Sequence, residues 1–82
     1  MEVKYYNSEK FKLTIRQING DILQIARELF YSPQINFIIG SDKDFDTYKW
    51  LINSDDMIEC DKETFDSRVD EVAKLTKEYI NG

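Results

Sequence analysis

The sequence contains no histidine and only one cysteine, Cys60. Histidine is the usual general base at neutral pH and the commonest metal ligand. Its absence excludes Ser-His-Asp and Cys-His catalytic arrangements. With a single cysteine it also excludes a Cys/His zinc site within one chain. One thiol cannot close an internal disulfide, which fits a reducing, cytosolic setting. Proline occurs once, at Pro33, and the glycines stand isolated at Gly20, Gly40 and Gly82, so there is no glycine-rich loop to cradle phosphate. No apolar run approaches the roughly 20 residues that span a bilayer; the segment INFII, Ile35 to Ile39, is typical of the longest. The start, MEVKYYNSEKFK, lacks the apolar stretch of a signal peptide. We therefore expect a cytoplasmic protein without membrane contact.

The 82 residues suffice for one domain, expected to span 1–82. A chain of this size buries only roughly 60–65% of its unfolded surface, so the core is modest. No repeat, linker or low-complexity segment divides it. Usage is rich in Ile, Lys, Asn, Tyr, Phe and Asp and poor in Ala, Gly, Pro and Arg. Such a bias suggests an AT-rich genome, that of a low-GC bacterium or one of its phages.

Lys10 to Arg16 alternate, with Phe11, Leu13 and Ile15 on one side, which predicts a half-buried strand. Glu2 to Tyr6 reads as a further short strand or arm. Asn19-Gly20 interrupts the pattern and could close a hairpin, yet Ile22, Ile25, Ala26, Leu29 and Phe30 follow helical spacing. Asp21 with Gln24 resembles a capping box, so a helix is expected from about Asp21 to Tyr31, ended by Ser32-Pro33. Ile35 to Ile39 reads as a central strand. Asp46 to Ile52 is ambiguous: Phe45, Tyr48, Leu51 and Ile52 suit a short helix, while Tyr48, Trp50 and Ile52 alternate. The strand is preferred on composition, with Trp50 in the core. Asn53 to Asp56 is then a turn and Met57 to Cys60 a short strand. From Asp61 to Ile80, Phe65, Val69, Val72, Ala73, Thr76, Tyr79 and Ile80 predict a helix capped by Asp61. The expected fold is α+β: a small two-layer domain, an antiparallel sheet of three or four strands with two helices on one face, in the order β-α-β-β-(β)-α.

Charge is distributed unevenly. Residues 42–71 carry eleven acidic and four basic side chains, net −7, while the segments on either side are each net +1. Single carboxylates suit surfaces, turns and helix starts. A dense array also sets up a negative potential that attracts basic partners. If the loop extends, Asp42, Asp44 and Asp46 would lie on one side about 6.6 Å apart, a spacing comparable to neighbouring phosphates on one strand of nucleic acid. In size, charge and composition the chain is similar to the small acidic inhibitors that phages make against host or defence proteins, some of them DNA mimics. That likeness rests on no motif and carries no residue over.

Other chemistry is weaker. Asp42, Asp44 and Asp46 match the start of an EF-hand loop, but the sixth position is Thr47 instead of Gly and the twelfth is Asn53 instead of Glu. Asp55, Asp56, Glu59 and Asp61 offer acid-base candidates with no evident pocket. Lys4, Lys10, Lys12 and Arg16 are too few to offset the acidic region for direct nucleic-acid binding. Cys60 reads as a small, partly buried apolar residue, since Glu59 and Asp61 oppose a thiolate.

The expectation is a non-enzymatic inhibitor or regulator without cofactor or metal. It would bind a basic, nucleic-acid-binding host protein through Asp42, Asp44, Asp46, Asp55, Asp56, Glu59 and Asp61, with Tyr48 as an aromatic contact. The alternative is an interaction module of antitoxin, immunity or homodimeric-adaptor type that uses an apolar sheet face or edge, with Tyr5, Tyr6 and Tyr31 as candidates.

Overall fold

The computed structural model describes residues 1–28 and 33–81, with side chains as far as Glu78. Asn19 and Gly20 both take left-handed backbone conformations, φ 52° and 82°. The chain therefore reverses at Asn19-Gly20 into a hairpin, and the expected helix after it is a strand. The elements are β1 (Val3–Ser8), β2 (Leu13–Ile18), β3 (Ile22–Arg27), β4 (Gln34–Ile39), α1 (Phe45–Ile52), β5 (Ile58–Cys60) and α2 (Lys62–Asn81). Among the described residues this is a small α+β domain with a five-stranded antiparallel sheet and two helices. The strand order is β4-β3-β2-β1-β5.

Several expectations change. The strand expected from Lys10 begins at Leu13, after a turn in which Lys12 has φ 52° and the Phe11 N–H donates to Ser8 Oγ (3.0 Å). The strand at Ile35–Ile39 is an edge strand, not a central one. Asp46 to Ile52 is helical, and Trp50 is 68% exposed. Leu29, Phe30 and Tyr31, expected to end the first helix, lie outside the described residues. The inward places expected for Tyr79 and Ile80 lie outside the described side chains.

The two helices pack on opposite faces of the sheet, so the domain has three layers where two were expected. Register decides this. Leu13, Ile15, Leu23, Ile25 and Ile38 share one face and form the main core with Tyr48 and Ile52 of α1 and with Met57. Tyr5, Arg16 and Gln24 are neighbours on the other face, where the Tyr5 ring meets Phe65 of α2 at 5.5 Å and the Arg16 guanidinium sits 5.6 Å from the same ring. Phe65 and Val72 of α2 are buried against this face. Asp61 caps α2 as the sequence indicates, accepting the Thr64 N–H at 2.8 Å. Arg68 ties α2 to the end of β3 through Glu28 (3.4 Å) and to Glu71 of its own helix (2.5 Å).

Candidate functional site

The hydrogen-bond parity of the sheet fixes which backbone groups remain open at its edges. The N–H of Glu28 donates to the carbonyl of Lys12 (2.9 Å), and these residues continue the β2–β3 register outward. In an antiparallel ladder, bonded and non-bonded pairs alternate. The even-numbered residues of β3 therefore face β2, and Leu23, Ile25 and Arg27 face β4. Their partners Ile38, Asn36 and Gln34 bond inward. The backbone N–H and C=O groups of Ile35, Phe37 and Ile39 point away from the sheet.

Ile39 is closed by a local device. Its N–H donates to Asp42 Oδ2 and its carbonyl accepts the Asp42 N–H, both at 2.9 Å. Ile35 and Phe37 keep two donors and two acceptors without a backbone partner among the described residues. The side chains of the same three residues stand on the α2 side of the sheet, with Ile35, Phe37 and Ile39 38%, 62% and 49% exposed. Ile39 continues a row across the sheet through Ile22, Ile18 and Val3, each half-buried. An open hollow lined by Pro33, Ile35, Ala73 and Thr76 lies between α2 and β4.

Sheet edges are usually blunted by charge, proline, bulges or brevity. The other edge follows that rule: β5 is three residues long, Ile58 and Cys60 bond toward β1, and the outward residue is Glu59. Edge strand β4, QINFII, carries no charged side chain.

The carboxylates singled out in the sequence are spread along the chain's path. Asp42 lies in the turn after β4, Asp44 precedes α1 without making a side-chain cap, and Asp46 is in the first turn of α1. A helix turns about 100° per residue, so the extended row of three does not form. Asp55 and Asp56 lie beyond the other end of α1, about 12 Å along its axis, and Asp56 pairs with Lys10 at 3.4 Å. Glu59 is on β5 and Asp61 caps α2. Asp56 is half-buried and the other six are exposed. Asp42 and Asp44 border a shallow hollow on the face opposite α2 that also touches Asn36 and Phe37, and the cations Arg27 and Lys43 share its lining. Among the described residues no group of three or more cysteine or acidic side chains is arranged to hold a metal ion, and no helix is long and apolar enough to cross a membrane.

The aromatic candidates are engaged in packing. Tyr48 is 7% exposed, and its hydroxyl accepts from Arg27 Nη1 at 2.7 Å. Burial raises the Tyr48 pKa; the Arg27 charge opposes the rise and Asp44 adds to it. Tyr5 lies against Phe65, and Tyr6 packs on the main core. Tyr31 is outside the described residues. The Cys60 thiol is pushed up by burial and by the charges of Asp61 and Glu59. Hydrogen bonds from Thr64 hold the Asp61 carboxyl below its ordinary value. An open hollow of about 330 Å³ separates α1 from β2 and β3, lined mainly by apolar groups with Arg27 and Asp44 at its wall.

Sequence reasoning missed the exposed set Ile35, Phe37 and Ile39. No residue in QINFII signals it, because an uncharged apolar strand reads as a central one. Compared with known proteins, the chain matches no family model, no curated protein and no solved structure.

Proposed function

We propose that this chain is a non-enzymatic protein-binding domain that receives an extended segment of a partner as an added strand along β4. One observation carries the reading: an uncharged edge strand presents open backbone groups on Ile35 and Phe37 beside their own exposed apolar side chains. In strand addition the main chain supplies affinity and alternate side chains supply selectivity. Fully burying a Phe side chain is worth about 1.5–3 kcal/mol, so Phe37 is the natural anchor. The lone thiol Cys60 suits a reducing compartment such as the cytosol.

A second reading is supported by the exposed carboxylates near the same edge. Asp42, Asp44 and Asp46 gather around the start of α1 and would attract a basic protein, as an acidic inhibitor or regulator does. The phosphate-like row invoked for DNA mimicry has no strand to carry it. Salt and mutation separate the two readings. Phe37→Lys should weaken partner capture at least tenfold if the edge binds, at both low and high salt. Asp42, Asp44 and Asp46 changed together to Asn should do so only if charge binds, and that binding should fall steeply as salt rises. Capture unaffected by Phe37→Lys would remove the strand-addition reading.

A further inference from the structure

The geometry points to a second copy of this chain as the occupant of the β4 edge, paired antiparallel about a two-fold axis at Asn36. This inference rests on the strand-addition reading and specifies its partner. A two-fold interface must be complementary to itself, each residue meeting a counterpart that meets it in return. In the register centred on Asn36, Ile35 of one copy lies opposite Phe37 of the other, twice over. All four open donors and acceptors of each strand are then paired. At the ends of this segment, Pro33 of one copy lies opposite Ile39 of the other. Proline has no N–H to donate. The Ile39 N–H and C=O are already bonded to Asp42. Neither residue thus brings an unpaired N–H to the joint, so no donor is stranded where they meet.

The adjacent registers lack this match. Centring on Phe37 sets the open groups of Ile35 against the closed groups of Ile39. Centring on Ile35 sets Phe37 against Pro33. Both leave a carbonyl facing no free donor in the joint, where an unmade hydrogen bond is penalised. The preferred register also joins the two α2-side faces, bringing Ile35 and Phe37 side chains of both copies into one apolar cluster. β4 has no charged residue, so no ion pair or like-charge contact is forced within the joined strands. Each copy carries a net charge of −5, so repulsion between the bodies opposes dimerisation and screening favours it. Two six-residue strands meeting edge to edge make a small joint, and small interfaces are typical of weak, transient association.

The test uses the full chain. Asn36 pairs with itself at a non-hydrogen-bonded position, where Cα atoms lie about 4.5 Å apart, within disulfide reach. Asn36→Cys in a Cys60→Ser background should form a covalent dimer under mild oxidation, whereas Cys60→Ser alone should not. Sedimentation of the wild-type chain should show a monomer–dimer equilibrium that tightens several-fold from 0.05 to 0.5 M salt. Phe37→Lys, at an exposed site that leaves the fold intact by circular dichroism, should weaken it at least tenfold. A wild-type chain that stays monomeric at millimolar concentration would overturn the second-copy assignment, as would dimerisation untouched by Phe37→Lys. If that monomeric chain binds strand-forming peptides that slow exchange of the Ile35 and Phe37 amides, strand addition survives with another partner. If no such peptide slows those amides, strand addition falls as well.

Discussion

Replacing Phe65 by alanine tests whether α2 is held to the sheet by a core of its own. Phe65 is 2% exposed, its ring meets Tyr5 at 5.5 Å and 47°, and the Arg16 guanidinium lies 5.6 Å from its centre. Truncating a buried Phe to Ala typically removes about 3–5 kcal/mol. Tyr5 is half-buried next to the short edge strand β5 and can shift into the space, which argues for the lower end, about 3 kcal/mol. A chain of this length has a total stability of about 4–12 kcal/mol, so the loss is a large fraction of the whole. Urea unfolding followed by far-ultraviolet circular dichroism measures it. With a slope near 1 kcal/mol per molar, usual for small domains, the midpoint should fall by roughly 3 M at unchanged slope. Phe65→Leu should retain most of that stability. A Phe65→Ala loss below about 1 kcal/mol would refute the placement of α2 on the face opposite α1.

Four further outcomes follow from local geometry. Gly20→Ala should destabilise by about 1–2 kcal/mol in the same urea assay, because an L-residue at φ 82° is strained even though the space around Gly20 is open. Trp50 fluorescence should be quenched by iodide nearly as well as that of a free indole, and Trp50→Ala should change stability by less than about 0.5 kcal/mol. The Cys60 thiol should alkylate more slowly than a free thiol at pH 8. Its folded pKa lies above the ordinary 9.0, so its contribution to stability is full below that value and is lost as pH rises through the folded value. Asp61 has the opposite sign: its folded pKa lies below 3.8, so the advantage of wild type over Asp61→Ala should be full above that value and shrink as pH falls through the folded one.

Much of the fold was legible, and the misreadings share a physical cause. α2 was readable because one helix stripe faces the sheet and the rest faces solvent, and Asp61 caps it as its position suggests. β3 was not, because it is covered on both sides. Leu23 and Ile25 face α1 while Ile22 and Ala26 face the other way, so alternation vanishes and Ile22, Ile25 and Ala26 imitate helical spacing. Asn19-Gly20 held the better signal, since that dipeptide favours the backbone of a tight hairpin. In α1 the opposite illusion arose. Tyr48 and Ile52 are buried one helical turn apart, and Trp50, which completed the apparent alternation, points to solvent.

The candidate site divides along the same line. Carboxylates are visible in any sequence, but the turn, cap and ion pair that occupy Asp42, Asp61 and Asp56 depend on local structure. The open edge depends on topology. Nothing in QINFII distinguishes a strand with two neighbours from a strand with one, and only the pairing order places β4 at the boundary.

Amide hydrogen exchange measured by nuclear magnetic resonance on a dilute sample tests the central claim most directly. Protection follows hydrogen bonding and local opening. Asn36 and Ile38, which bond toward β3, should exchange slowly. Ile35 and Phe37 should exchange fast when dilute and slow down as the protein is concentrated or given a strand-forming partner. Equal protection of all four amides at dilution, or fast exchange of Asn36 and Ile38 in place of Ile35 and Phe37, would contradict an open β4 edge.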